Sequence, residues 1–212
     1  MPLLPPRLQK HRACLVVVDV QERFRDLIHD MELVLANCSR LIRYCDRLEI
    51  PLLFTEHYPA RLGATVPELA RLPRKFDPLE KISFSCAGDT QFMAQLQALH
   101  RDQVILCGIE THVCVYQTAR DLREDGLQVI VVADAVSSRR TSDRNLALAY
   151  LRDLGVQIMT AEMIMFEILK VARTDDFRTV ADILKENPGS PARHAAPAPA
   201  PSSPSRELQE RT

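Results

Sequence analysis

The stretch VILCGIETHVCVY, Val104 to Tyr116, decides the fold. Val104, Ile105, Leu106 and Cys107 make an apolar run of β-favouring residues that meets Gly108, and helix-compatible residues then continue toward Gly126. This is a strand, a turn and a helix. Cys114 therefore falls within about the first helical turn, where unpaired N–H groups point outward and the helix dipole is positive. A thiol there is biased toward thiolate. Free cysteine titrates near pH ~8.5, so a downward shift of about two units requires roughly 2.7 kcal/mol. An exposed helix dipole supplies about 1 kcal/mol or less, so a cationic or basic partner is needed as well.

Working outward, the same alternation recurs on both sides. Ala13 to Val18, ACLVVV, is a continuous apolar run that ends at Asp19, and Met31 to Leu48 carries apolar residues at helical spacing. A strand is expected over Pro51 to Thr55 and a short helical piece over Val66 to Leu72, inside a proline-rich connection from residue 56 to 80. A connection so long is usually functional. Asp89 reads as the N-cap of a helix through Leu99. Beyond Gly126, a helix C′ residue, come a strand at Val129 to Ala133 and a helix at Ser142 to Leu154. A strand at Val156 to Met159 and helices at Ala161 to Val171 and Asp175 to Lys185 follow. Such alternation predicts an α/β fold, a mostly parallel central sheet with helices on both faces. In that three-layer, Rossmann-like architecture ligands sit at strand carboxyl ends, where Asp19 and Cys114 both fall.

Composition narrows the function. With 212 residues, 46% of them hydrophobic, the chain is long enough for one domain with a substantial core, here residues 1–186. Residues 187–212 are rich in Pro, Ala and Ser and are expected to be a disordered tail. A formal net charge of -1 provides no field for nucleic acid or an acidic membrane, and no phosphate-cradling glycine motif is present. Arg139, Arg140 and Arg144 read as a solvated helix entrance. Prolines interrupt the N-terminal segment where a signal peptide would be apolar, and the cysteines contain no CxxC, so a cytoplasmic, reduced protein is expected.

The partners of Cys114 come from distant segments. Asp19, a carboxylate ending an apolar strand, reads as a base for the thiol, and Lys81 as a fixed positive charge beside it. His112 lies two positions from Cys114, which on a helix points it to another side and argues against a Cys-His dyad. His57 has no second histidine at ligand spacing, so no metal is expected.

Three motifs, D-V-Q-E-R-F at Asp19 to Phe24, K-I-S-F-S at Lys81 to Ser85 and G-I-E-T-H-V-C-V-Y-Q-T at Gly108 to Thr118, resemble those of the isochorismatase-like cysteine hydrolases. The likeness spans roughly residues 10–175, and T-E-H-Y-P-A-R-L-G at Thr55 to Gly63 narrows it to the isochorismatase domain-containing branch. The resemblance implies a catalytic triad of Asp19, Lys81 and Cys114. It also implies an oxyanion hole from the backbone N–H groups of Glu110 and Cys114, with a cis peptide between Ile109 and Glu110. Phe24, Tyr58, Phe84 and Ile109 are the expected pocket walls. The branch carries glutamine at the place of His57 and glycine at that of Arg61, so the lip of the pocket differs in charge. Where nicotinamidase relatives hold a metal with Asp-x-His, this chain reads His57, Tyr58, Pro59, which argues against a metal. The implied activity is hydrolysis of a carbon–nitrogen amide-type bond in a small molecule through a thioester, without cofactor, in a homo-oligomer. Two alternatives remain at this stage: a haloacid-type hydrolase with Asp19 as nucleophile, and a catalytically silent binding or scaffold protein.

Overall fold

Six runs of β-favouring residues hydrogen-bond side by side in the computed structural model, which describes residues 5–185. They are β1 (Ala13–Val18), β2 (Leu52–His57), β3 (Leu79–Lys81), β4 (Gln103–Ile109), β5 (Gln128–Ser137) and β6 (Gln157–Met159). Every pairing is parallel and the order is β3-β2-β1-β4-β5-β6. β1 and β4 are central and buried throughout, which is why their sequences are unbroken apolar runs rather than alternating ones.

Alternate residues of these strands feed two cores. Leu15, Val17, Ile105, Cys107 and Ile130 pack on one face with α1 (Met31–Arg47), α7 (Ala161–Leu169) and α8 (Asp175–Lys185). Cys14, Val16, Val18, Val104 and Leu106 pack on the other with α4 (Thr90–Ala98), α5 (Tyr116–Glu124) and α6 (Thr141–Asp153). The expected layers of helix, sheet and helix are present. Cys38 and Cys45 of α1 lie fully buried in the first core.

The strand and helix bounds differ from the sequence reading in informative places. β2 runs on through Glu56 and His57, because β3 gives them partners in the register Glu56↔Glu80 and His57↔Lys81. The connection after β2 holds two four-residue helices, α2 (Pro59–Leu62) and α3 (Pro67–Ala70), each opened by a proline whose fixed φ suits a first turn. Gln21 ties this connection to the end of β1. Its side chain accepts from the His57 N–H at 2.8 Å and donates to the carbonyls of His57 at 3.1 Å and Gly63 at 2.6 Å. Arg144 is not a solvated residue of a helix entrance: its guanidinium donates to the carbonyls of Val136, at 3.0 Å, and Ala133, clamping the end of β5. The expected tail, residues 187–212, lies outside the described residues.

Gly108 sits inside β4 rather than after it, opposite Val18 of β1. Its φ is +112°, and a Cβ there would stand 2.1 Å from the Val18 carbonyl oxygen. Only glycine lets the two central strands meet so closely just before their carboxyl ends. Gly108→Ala is therefore expected to lose at least about 3 kcal/mol of unfolding free energy. Gly126→Ala, at φ +84° in open space, should lose only the roughly 1 to 2 kcal/mol of a left-handed alanine. Urea unfolding of both variants checks the ordering.

Candidate active site

The carboxyl ends of β1, β2, β3 and β4 converge, and each delivers one polar side chain. Asp19 follows β1 with φ +50°, a left-handed conformation that aspartate tolerates better than most residues. Its Oδ1 accepts from the Thr55 hydroxyl of β2 at 2.7 Å, and its Oδ2 accepts from Lys81 Nζ of β3 at 2.6 Å. Both side chains of the Asp19–Lys81 pair are 1% exposed. The remaining Lys81 donors reach the carbonyls of Ser83 at 3.1 Å and Phe84 at 3.2 Å. An ammonium has three donors, and all three are spoken for. Burial works against the lysine's charge, yet the charge of the Asp19 carboxylate and its hydrogen bond outweigh it and raise the lysine's pKa above the ordinary value.

Cys114 lies in a π-helical turn, Thr111–Val115, between β4 and α5. The Glu110 carbonyl accepts from the N–H groups of Val113 and Val115 and so fixes the turn. Here the sequence expectation of a thiolate-biased sulfur fails. Burial first, then the Asp19 charge, push the Cys114 thiol well up, against the opposing pull of Lys81. A hydrogen bond with Asp19 acts in the same direction, with the thiol as donor. The sulfur is neutral in the resting protein, with the carboxylate at hand to take its proton.

Beside Cys114 and Asp19, a cavity of about 70 Å³ is lined by Phe24, His57, Phe84, Ile109, Glu110 and Val113. Three of the four expected wall residues are therefore there. Tyr58 is not; it lines an adjacent groove with Lys81 and Ile82. The Ile109–Glu110 peptide is cis, as the resemblance implied. His57 stacks on Phe84 with ring centroids 5.3 Å apart, and its Nδ1 is buried without a partner. Burial, then the charge of Lys81, lower its pKa, so the ring is neutral at physiological pH. His112 faces away from the thiol, with Nδ1 3.0 Å from the Ser138 hydroxyl. Among the described residues no group of three or more His, Cys, Asp and Glu side chains could hold a metal ion.

Several residues of the site carried no sequence signal strong enough to single them out. Thr55 holds Asp19. Cys86, fully buried, lies 3.7 Å from the Thr55 hydroxyl, and its thiol is pushed up to about 11 by burial and then by Asp19. The Glu110 carboxylate accepts from the Arg139 backbone N–H at 2.9 Å and from its Nε at 3.1 Å, so Arg139, solvated at the entrance of α6 as expected, is also a partner of the site. A polar residue flanking a motif glycine, with a cation after the next strand, was the only hint of that pair.

An isochorismatase domain is matched over residues 13–163. The chain belongs to the isochorismatase family. It is 40% identical over 178 residues to isochorismatase domain-containing protein 2 of Danio rerio, covering 84% of this chain and 89% of that one. The solved structure of MAR1 ribonuclease from Caenorhabditis elegans superposes with a TM-score of 0.81 at 35% identity, covering 87% of this chain and 95% of that one. The Escherichia coli YcaC gene product, described as an octameric hydrolase of unknown specificity, shares the fold with a TM-score of 0.82 at 24% identity, over 87% of this chain and 93% of that one. The isochorismatase-family hydrolase fold is thus common to all of them. No helix among the described residues is long and apolar enough to cross a membrane.

The buried thiols set a pH limit on stability. Cys14, held at about 12, Cys86, at about 11, and Cys114 keep their protons in the folded protein, whereas unfolded thiols with the ordinary value of 9.0 release them. The stability of these groups is therefore complete below pH 9.0 and falls as pH rises, by up to about 1.4 kcal/mol per pH unit for each thiol. Urea unfolding at pH 8 and pH 10 should show the midpoint dropping steeply; an unchanged midpoint would contradict the burial.

Proposed function

We propose that this protein is a cysteine hydrolase that cleaves a carbon–nitrogen amide-type bond of a small molecule, with Cys114 as nucleophile, Asp19 as proton carrier and Lys81 as electrostatic anchor. The observation that carries this reading is that Asp19, held by Lys81 at 2.6 Å, and Cys114 line one buried cavity.

The chemistry runs in two halves. As the sulfur attacks the substrate carbonyl, its proton passes to Asp19, so no free thiolate need accumulate beforehand. The developing oxyanion meets the backbone N–H groups of Glu110 and Cys114. The C–N bond then breaks, the nitrogen leaves with the proton held by Asp19, and a thioester remains on Cys114. Water attacks it, Asp19 takes the water proton, the C–S bond breaks, and the sulfur recovers its proton. Lys81 keeps Asp19 oriented throughout, and the desolvated pair offers a fixed charge environment that water cannot rearrange.

A haloacid-type route with Asp19 as nucleophile is disfavoured, because both of its oxygens are already engaged by Thr55 and Lys81. Ribonuclease action, suggested by the name of the C. elegans relative, finds no support in a cavity of about 70 Å³ whose acidic lining is Asp19 and Glu110. We further propose a cytoplasmic homo-oligomer, in keeping with six unbridged cysteines and with exposed Ile82 and Leu146.

A screen of small amides read by ammonia or amine release, with a labelled RNA alongside, should find turnover among the amides alone. Cys114→Ala should lower it at least about a thousandfold, and mass spectrometry of quenched wild-type reactions should find an acyl adduct on the peptide holding Cys114. RNA cleavage, or amide turnover that survives Cys114→Ala, would refute the reading.

A further inference from the structure

The charges around the cavity are arranged unevenly. Asp19 is neutralised at 2.6 Å by Lys81, inside the protein. Glu110 is 7% exposed and lines the cavity, but its counter-ion Arg139 is 58% exposed in its side chain and sheds much of its field into water. Arg139 engages only Oε2. Oε1 of Glu110 has no partner among the described residues. His57, on the same wall, is neutral and has a buried Nδ1 without a partner. A buried polar atom left unpaired costs roughly 1 to 3 kcal/mol, so His57 Nδ1 is better placed when a ligand supplies the missing bond. Cys114 is neutral as well. The cavity is therefore lined by a carboxylate whose only counter-ion is a solvent-screened guanidinium, and no lysine or arginine lines it; the Lys81 donors are all occupied.

We propose that Glu110 is a specificity residue: its free carboxylate oxygen accepts an N–H of the substrate, so that the site takes small neutral or cationic amides and turns away substrates with a carboxylate near the reacting carbonyl. This rests on the reading of the site as an amide hydrolase and deepens it. Glu110 touches the substrate; Arg139 acts through Glu110 and is a positioning residue. The two should move selectivity in opposite directions. Removing the Glu110 charge leaves Arg139, next to that position, as an uncompensated cation, which favours anions. Removing Arg139 leaves Glu110 unscreened, which penalises them further.

Binding can be measured without turnover, on protein carrying Cys114→Ser, using isobutyramide and isobutyrate, which have nearly the same shape, in ligand-detected NMR titrations. Isobutyramide is expected to bind at least about tenfold more tightly, the scale of one like-charge repulsion in a partly desolvated site. Glu110→Gln should shrink that ratio to within about threefold, and Arg139→Gln should enlarge it. Isobutyrate binding as well as isobutyramide, neither binding, or both substitutions moving the ratio the same way would overturn the proposal. Because the thiol is absent, these results stand apart from the hydrolase reading, which fails instead if Cys114→Ala remains active.

Discussion

The site is organised around a buried ion pair that only a finished sheet can make. Asp19 and Lys81 lie on strands that are not neighbours: β2 stands between β1 and β3, and supplies Thr55 to fill the gap. Two charges removed from water face a desolvation penalty of several kcal/mol each, which is offset only when geometry is good and every remaining donor and acceptor is met. Here Thr55 and the carbonyls of Ser83 and Phe84 meet them. The pair is thus expensive to form and, once formed, hard to disturb, which suits the proton-carrying role proposed for Asp19. Gly108 belongs to the same device, since the close meeting of β1 and β4 sets the Cys114 turn near Asp19.

The electrostatics of the thiol follow from that arrangement and differ from those of a cysteine activated by a helix end. A helix dipole acts on an exposed sulfur; Cys114 is 7% exposed and has an anion beside it. Burial and the anion together exceed the pull of Lys81, whose charge is directed at Asp19. In the proposed reaction a neutral thiol is stored together with its base, and reactivity waits until a carbonyl arrives to receive the sulfur's electrons. Such an arrangement protects the thiol from adventitious oxidation, because the thiolate is the oxidisable form.

Much of the fold was legible in the sequence, for a physical reason. Strands buried on both faces must be apolar throughout, so ACLVVV and VILC announced the centre of a parallel sheet, and Asp89 and Gly126 marked helix ends through their capping chemistry. Asp19 and Lys81 stood out as charges against apolar or extended surroundings, and the structure brings them within 2.6 Å. What could not be read was whatever depends on neighbours across the sheet: Thr55 as a partner of Asp19, Arg139 behind Glu110, the extension of β2 to His57, and the placement of Tyr58 outside the cavity. The protonation of Cys114 was misjudged for the same reason. Helix position is local and visible in a sequence, whereas desolvation is a sum over the whole fold.

The claim on which this account depends is that Asp19 holds the Cys114 proton in place and receives it during attack. The most direct measurement is the rate of chloroacetamide labelling of Cys114 as a function of pH, in the wild type and in Asp19→Asn. The account predicts that wild-type labelling rises only above the ordinary thiol range, because burial and the carboxylate keep the proton on. It predicts that the inflection moves to lower pH in Asp19→Asn, where the anion is gone and Lys81 remains. A wild-type inflection at or below the ordinary range, or one that Asp19→Asn leaves where it was, would contradict it.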